Sequence, residues 1–211
     1  MRVIAIDGPA GAGKSTIARA LARRLGLEYL DTGAMYRAVT FEAMRRGMSL
    51  DDADAVAALA EGVELEVGEQ GVLVEGTDAT AAIRTPEVTA NVSKVAANSG
   101  VRTEMRTRQQ QWAAVRGGGV IEGRDIGSVV FPDAELKLYL TASPRVRAER
   151  RVAEAGGDVD EIERAIAARD HYDSTRADSP LTEAAGATIV DTTGLSIDEV
   201  LDHILRLLEL A

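Results

Sequence analysis

Near its start the chain reads Val3-Ile4-Ala5-Ile6-Asp7-Gly8-Pro9-Ala10-Gly11-Ala12-Gly13-Lys14-Ser15. The apolar run over 3–6 predicts a buried strand, and residues 8–13 contain too much glycine for a regular element. From Ser15 onward, Ile17, Leu21 and Leu25 recur with the spacing of one helix face, and Gly26 ends the pattern. A strand, a glycine loop and a helix in this order are typical of a parallel α/β sheet.

The glycine loop fits the pattern G-x-x-x-x-G-K-[ST] without a mismatch, in the strand-to-helix context that a phosphate-binding loop requires. Its backbone N–H groups and the positive end of the following helix would face phosphate oxygens. Lys14 is expected to reach the β- and γ-phosphates of a nucleoside triphosphate, and the Ser15 hydroxyl to ligate Mg²⁺. The residues expected to hold the triphosphate here are Gly8, Pro9, Ala10, Gly11, Ala12, Gly13, Lys14, Ser15 and Thr16.

Length and composition exclude several classes of protein. The 211 residues, 45% of them hydrophobic, predict one domain of ordinary size with room for a small insert. The absence of cysteine and the presence of only two histidines argue against disulfide scaffolds, thiolate zinc sites and Ser-His-Asp hydrolases. A net charge of −10 argues against a nucleic-acid binder. With no long apolar run and no signal-peptide pattern, we expect a cytoplasmic monomer without membrane contact.

The rest of the chain alternates between strand and helix patterns. Short strands are predicted at 27–30, 120–121, 136–140 and 188–190, with helices between them, including one from about 34 to 46. The alternating stretch 63–75, with its Gly68-Glu69-Gln70-Gly71 turn, predicts an antiparallel hairpin inserted into this core. Ser196 and Glu199 form a capping box before the last helix. We therefore expect an α/β doubly wound P-loop fold with a five-stranded parallel sheet.

Two other P-loop classes fit less well than a kinase. The guanine-specifying motif N-K-x-D is absent, and the chain is short for a mechanical ATPase. A small-molecule kinase needs a second recognition site, and polar clusters follow several predicted strands, where open α/β sheets bind ligands. Taken singly, each arginine in them could equally belong to a solvated, salt-bridged face. The clusters are Asp31–Gly33 with Tyr36 and Arg37, Glu122–Asp125, Arg147 with Arg150 and Arg151 on one predicted helix face, and Arg169 with Asp173 and Arg176 on another.

Three of these motifs together resemble the bacterial cytidylate kinase family. They are Ile6–Ser15, Leu30–Arg37 and Gly123–Gly127, with further matches at 83–85, 169–173 and 189–193, so that the resemblance runs along the whole chain and includes the hairpin. Two departures are small: Thr32 stands where many members have serine and keeps the hydroxyl, and Ala10 replaces a frequent serine in a loop that binds through its backbone.

The resemblance implies transfer of the γ-phosphoryl group of ATP, with Mg²⁺, to CMP and also dCMP. It divides the chain into a core (1–35, 115–145 and 170–211), a nucleoside-monophosphate-binding domain (36–114) and a helical lid (146–169) around the Gly156-Gly157 break. No general base is expected, because the accepting phosphate oxygen is already an anion. A kinase for UMP, AMP or shikimate on the same fold, and a non-catalytic ATP-binding protein, stay as alternatives.

By the same resemblance, individual residues take the following roles. Ser93, Arg102 and Asp125 read the base, which suits cytosine because its N4 amino group needs an acceptor while N3 and O2 need donors. Arg37, Arg124 and Arg176 bind the CMP phosphate, with Thr32 and Tyr36 nearby. Arg169 and Asp173 lie toward the ribose and phosphates. Arg147, Arg150 and Arg151 are lid donors to ATP, and the catalytic set is Lys14, Arg124, Arg147 and Arg150.

Overall fold

The computed structural model describes residues 1–209, which contain eight strands and eight α-helices. The strands are β1 (Arg2–Asp7), β2 (Tyr29–Asp31), β3 (Leu65–Gly68), β4 (Gly71–Val74), β5 (Thr77–Asp78), β6 (Gly118–Glu122), β7 (Leu136–Thr141) and β8 (Thr188–Asp191). The α-helices are α1 (Lys14–Leu25), α2 (Thr32–Arg45), α3 (Ala53–Gly62), α4 (Pro86–Ala96), α5 (Ser99–Arg116), α6 (Pro144–Ala155), α7 (Val159–Thr175) and α8 (Ile197–Glu209). A 3₁₀ turn covers Ala82–Arg84, and a π-helical turn covers Ile126–Val130.

Five strands form one parallel sheet in the order β2-β6-β1-β7-β8, which confirms the predicted α/β fold. The first strand lies in the middle, where Ile4 pairs with Val120 on one side and with Leu136 on the other. Because the strands are parallel, the carboxyl ends of β1, β6 and β7 share one edge of the sheet, and the polar clusters of the sequence follow those ends.

The apolar run of β1 is buried on both faces of the sheet. Val3 and Ala5 pack into one apolar cluster with α2 to α5, whereas Ile4 and Ile6 pack into a second cluster with α1 and α8. Alternate residues of a strand point to opposite faces, so both faces of β1 are covered by helices. This explains why the run is continuously apolar instead of alternating.

The predicted hairpin is present as β3 and β4, paired antiparallel with Gly68 opposite Gly71. A third strand, β5, joins it through Thr77 and Asp78 and was not predicted, because it is only two residues long and exposed. The three strands form a separate small sheet, and the buried faces of Val72 and Val74 pack into the cluster beneath α2 to α5.

Two local details differ from the sequence prediction and one agrees. Helix α2 begins at Thr32, earlier than predicted, because the Asp31 carboxylate accepts the Ala34 N–H at 2.9 Å. The π-helical turn after Asp125 carries no apolar period and was not predicted. The capping box before α8 is present, with Glu199 accepting from the Ser196 N–H at 2.8 Å.

Among the helices described over residues 1–209, none combines the length and the apolar character needed to cross a bilayer.

Candidate active site

The glycine loop lies between β1 and α1, as predicted, and its glycines are needed for its shape. Gly8, Gly11 and Gly13 have φ values of 143°, 76° and 86°, a region that side chains rarely enter. At Gly8 a Cβ atom would also lie 1.9 Å from the carbonyl oxygen of Leu140. The loop therefore packs directly against the end of β7, with a backbone shape that lets amides curl around an anion.

Lys14 is the first residue of α1 and is held inside the loop. Its Nζ donates to the Pro9 carbonyl oxygen at 2.8 Å, and the residue is only 7% exposed. Burial, followed by the charge of Arg124, lowers the pKa of Lys14 to about 7. A buried ammonium beside another cation is stabilised by an incoming anion, so the loop is electrostatically prepared for phosphate.

Helix α6 lies against the loop, but the three arginines predicted to bind ATP do not point together toward one binding surface. Arg147 is turned inward and 6% exposed, and it donates to the carbonyl oxygens of Ala142 and Ala10, each at 3.0 Å. Arg150 donates to the Thr192 hydroxyl and carbonyl oxygens at 2.9 and 2.8 Å. Arg151 is outermost and lies 3.4 Å from Glu154. The helical spacing was correct, but helix packing separates the side chains into three environments.

Arginines and carboxylates from distant parts of the chain meet across the loop. Arg124 donates to Asp173 at 3.0 Å and to the Gly8 carbonyl oxygen at 2.9 Å. Arg102 of α5 is paired with Asp125 through a buried hydrogen bond, and Arg176 lies 3.8 Å from the same carboxylate. Arg169 and Asp173 lie 3.9 Å apart on one face of α7, as the spacing predicted, whereas Arg176 was wrongly placed on that face, because the helix ends at Thr175 and Arg176 is extended.

Several of these guanidinium groups have donors without acceptors. Within the described residues, Arg102 Nε, Arg169 Nε and Arg176 Nη2 are buried and have no hydrogen-bond partner. Burial and neighbouring arginines lower the pKa of Arg169 to about 10, and they lower that of Arg176 as well. Buried unpaired donors are costly, as are close like charges. Both features favour an anionic ligand rich in acceptors.

The start of α2 forms another wall of this site. The Thr32 hydroxyl donates to the Glu122 carbonyl oxygen at 2.7 Å, and Arg37 donates to the Thr89 hydroxyl at 2.7 Å. Burial and the charge of Arg169 lower the pKa of Arg37 to about 10, which places Arg37 in the same cationic group. The Tyr36 ring centroid lies 5.6 Å from the Arg102 guanidinium carbon.

The position of Ser93 agrees less closely with its predicted role. It is half-buried on α4, and no hydrogen bond described within residues 1–209 joins its hydroxyl to Arg102 or Asp125. One turn later, the Ala96 carbonyl oxygen accepts from Arg102 at 3.1 Å. Helix α4 therefore contacts the predicted base-reading group through its backbone, and the role of the Ser93 hydroxyl stays a prediction.

Three buried or half-buried acids were given no role by the sequence reasoning. Asp7 ends β1, Glu122 ends β6, and Asp170 of α7 accepts the Ala10 N–H at 3.3 Å and pairs with Arg147. Their shared feature was visible in the sequence, because each lies inside a stretch that the sequence analysis singled out: Asp7 in 6–15, Glu122 in 122–125 and Asp170 in 169–173. An acid within such a motif is therefore a candidate for a positioning role, even when no contact with a ligand is expected.

The residues at the start of α1 also fit a magnesium ion. Ser15 is exposed, and its side chain is near enough to the Glu122 carboxylate to act against the rise in its pKa; the Tyr29 hydroxyl donates to the same carboxylate. Burial and the nearby Asp31 raise the pKa of Glu122. Over residues 1–209 no three acidic or histidine side chains gather into a metal cluster. Mg²⁺ usually takes only one or two protein oxygens and completes its shell with phosphates and water, so this donor set suits it.

Comparison with known proteins agrees with this geometry. The family model described as cytidylate kinase matches residues 4–210. The chain is 50% identical to a cytidylate kinase of Desulfitobacterium hafniense, over 97% of this chain and 91% of that one. It is 51% identical to a bifunctional pantoate ligase/cytidylate kinase of Prochlorococcus marinus, over 97% of this chain and 44% of that one.

The present chain thus spans less than half the length of the bifunctional relatives it matches. Among solved structures, a shikimate kinase from Bacteroides thetaiotaomicron superposes with a TM-score of 0.51 at 14% identity, covering 99% of this chain and 98% of that one, which shows a shared fold. The glycine loop with its G-x-x-x-x-G-K-[ST] pattern, the arginine cluster beside it and the match along residues 4–210 lead to one family. The chain belongs to the cytidylate kinase family.

Proposed function

We propose that the protein transfers the γ-phosphoryl group of ATP to CMP, and also to dCMP, giving CDP or dCDP and ADP. Three arginines whose buried N–H groups lack a partner carry this proposal: Arg102, Arg169 and Arg176. They lie beside Asp125 and Asp173. These three cationic and two anionic side chains suit a nucleoside monophosphate, which presents a phosphate, a ribose and a polar base edge.

In this proposal the base contacts Asp125 and Arg102. The carboxylate accepts from the N4 amino group of cytosine, and the guanidinium serves the N3 and O2 acceptors. Uracil would place its O4 acceptor against the carboxylate and its N3–H against a donor, so both contacts would be lost. Ser93 would add a hydroxyl donor from α4, which already contacts Arg102 through Ala96.

The phosphate of CMP would be held by Arg37, Arg124 and Arg176, with Thr32 and Tyr36 beside it and Arg169 and Asp173 toward the ribose. The triphosphate would be held by the glycine loop and Lys14, with Arg147, Arg150 and Arg151 contributed by α6. The cationic groups already lower one another's pKa, as Arg124 does for Lys14 and Arg169 does for Arg37. Two bound polyanions would relieve this repulsion.

The reaction itself needs little acid–base chemistry. An oxygen of the CMP phosphate forms the new bond to the γ-phosphorus, and the bond from that phosphorus to the β–γ bridging oxygen breaks, leaving ADP. The attacking oxygen carries a negative charge already, so no residue has to remove a proton. The residues act by positioning both phosphates, neutralising their charge and excluding water. Ser15, oriented by Glu122, would hold Mg²⁺, which supplies charge neutralisation on the β- and γ-phosphates when bound.

Three parts of the chain contribute to the site in this proposal. Arg102 belongs to the monophosphate-binding part (36–114), whereas Asp125 and Arg176 belong to the core (1–35, 115–145 and 170–211). The lid (146–169) contributes the α6 arginines and ends its first helix at Gly156, whose φ is 74°. The monomeric, cytoplasmic state and the lack of nucleic-acid partners expected from the sequence stay predictions.

ADP release measured side by side with CMP, dCMP, UMP and AMP tests the proposal. We expect rapid release with CMP and dCMP, and kcat/KM values for UMP and AMP lower by orders of magnitude, since a buried polar site rejects a mismatched partner by up to about 10⁴-fold or more. Equal release with all four, or a preference for AMP or UMP, would contradict it. Release that is independent of any nucleotide acceptor would indicate an ATPase instead.

A further inference from the structure

Asp7 lies between the glycine loop and the turn 126–130, and the proposed function gives it no role. It is the last residue of β1, directly before Gly8, and it is 3% exposed. Its Oδ1 accepts the Ile126 N–H and its Oδ2 accepts the Gly127 N–H, both at 2.8 Å. Both oxygens of this buried carboxylate are thus used on the backbone of a separate segment.

The two N–H groups it accepts are the first donors of the π-helical turn Ile126–Val130. A helix normally has such donors satisfied by the residue at its N-cap, which here is Asp125. The side chain of Asp125 makes no capping hydrogen bond, although aspartate is among the best capping residues. It pairs instead with Arg102 and faces Arg176.

We propose that Asp7 is a positioning residue for nucleotide selection: it caps the turn 126–130 in place of Asp125 and so leaves the Asp125 carboxylate free to read the base. This inference rests on the proposed function, because it assigns Asp7 a role in the same acceptor site. A single strand end thereby orders both sides of the reaction, since Gly8 follows Asp7 directly in the chain.

Further contacts hold the same segment in register with β1. The Gly123 N–H donates to the Ile6 carbonyl oxygen at 3.0 Å, and Arg124 donates to the Gly8 carbonyl oxygen at 2.9 Å. Residues on both sides of Asp7 therefore bind the segment that carries Arg124 and Asp125. Burial raises the pKa of Asp7 to about 6, so the carboxylate is ionised at neutral pH and offers acceptors at both oxygens.

Asp7→Asn tests the role with almost no change in shape. The amide keeps one acceptor and places an NH₂ group against one of the two backbone N–H groups, which favours a turn of Asp125 toward its own helix end. We expect the ratio of kcat/KM for CMP to that for UMP to fall about tenfold, a size typical of coupling between groups in one network. The KM for ATP should change much less than the KM for CMP.

A double-mutant cycle distinguishes this role from a general loss of structure. In an Asp125→Ala background, Asp7→Asn should leave the CMP/UMP ratio nearly unchanged, because its effect is transmitted through Asp125. Asp7→Ser, which is smaller and uncharged, serves as a second variant if the asparagine does not fold. Asp52→Asn is the matched control, since Asp52 accepts the Ala55 N–H at 3.0 Å at the start of α3 and lies outside the proposed machinery.

The outcomes separate the two proposals. If the wild-type protein does not prefer CMP, the proposed function fails and this inference fails with it. If the wild-type protein prefers CMP but the ratio is unchanged in whichever Asp7 variant folds, or falls equally with and without Asp125, only the positioning role is overturned. A selective fall that disappears in the Asp125→Ala background supports it.

Discussion

The proposed triphosphate side of the site and its proposed monophosphate side are built in different ways. The glycine loop is one contiguous stretch whose backbone forms the binding surface, and its lysine is already held by the Pro9 carbonyl oxygen. The proposed acceptor site instead combines Arg102, Asp125 and Arg176 from three distant stretches, and two of its buried N–H groups have no partner within the described residues. A local backbone motif is complete as soon as its strand and helix form, whereas a pocket made of distant side chains is completed by its ligand.

The largest expected effect concerns the loop. Lys14→Ala removes the buried cation, and we expect turnover to fall about 10³-fold, the scale seen when a main charge-stabilising donor is lost. CMP affinity measured by calorimetry should stay close to wild type, because the proposed site places Lys14 against ATP and not against CMP. Lys94→Ala, which removes a half-exposed lysine paired with Asp51, is the control. A loss of CMP affinity as large as the loss of rate would contradict the division into two sides.

The junction of the two sides gives a prediction for pH. The pKa of Asp7 is raised from 3.8 to about 6 by burial, with Asp125 raising it further and the two backbone N–H groups and Lys14 lowering it. Between these values the folded protein binds the proton more tightly than the unfolded chain, so the stability that Asp7 contributes falls as pH rises from about 4 to 6. A shift of about two pKa units corresponds to roughly 3 kcal/mol.

Denaturant unfolding of the wild type and of Asp7→Asn at several pH values measures the contribution of Asp7 to the free energy of unfolding. The difference in unfolding free energy between them should favour the wild type most at pH 4 and decline until about pH 6.5, after which it should be constant. A difference that does not vary with pH would show that Asp7 titrates as an ordinary exposed acid. A difference that rises with pH would contradict the sign.

The acceptor side is probed by Asp125→Ala. If Asp125 accepts from the N4 amino group, the variant should lose about 10- to 100-fold in kcat/KM for CMP, the 1–3 kcal/mol of one base contact, while UMP changes little. The CMP/UMP ratio should therefore narrow. Asp133→Ala, on an exposed loop after the π-helical turn, is the control. Equal slowing of both substrates would mean that Asp125 serves only its arginine neighbours.

The same division explains what the sequence could predict. The strand, the glycine loop, α1 and the five-stranded sheet follow from local patterns, and these were predicted correctly. The shared face of Arg169 and Asp173 was also correct, because helical spacing decides it, but Arg176 follows the end of α7 in an extended conformation that this spacing does not describe. The inward turn of Arg147 was missed, since it depends on the Ala10 carbonyl oxygen and Asp170. Helical spacing shows which residues share a face of a helix, but it does not show which face another element will bury.

The role of Asp7 was missed for a similar reason. Its two hydrogen-bond partners lie 119 and 120 residues away, and both are backbone N–H groups, which nearly every residue type provides. The unused capping capacity of Asp125 becomes visible only when the turn itself is seen. Side-chain contacts within a motif are thus readable from sequence, while contacts from a side chain to a distant backbone are not.

The smallest expected effect tests whether α6 belongs to the triphosphate side. Arg150 lies beside the loop, with its Nη1 3.6 Å from where a Cβ of Gly13 would stand, and it is held by Thr192, whose hydroxyl also donates to the Ala12 carbonyl oxygen at 3.2 Å. A donor fixed in this way can act on charge that develops during transfer. Arg150→Ala should therefore lower kcat about tenfold and change the KM for CMP by less.

The matched control is Arg145→Ala on the same helix, where the exposed guanidinium pairs with Asp160 of α7 and lies 3.4 Å from both Glu149 and Glu163. It should leave kcat unchanged, because surface ion pairs contribute little and Arg145 contacts neither nucleotide site. If Arg150→Ala instead raises the KM for CMP and leaves kcat intact, α6 serves the acceptor pocket, and the boundary between the two sides lies elsewhere. If neither kinetic constant moves, the Thr192 contacts of Arg150 are structural, and the triphosphate side consists of the loop and Lys14 without this arginine.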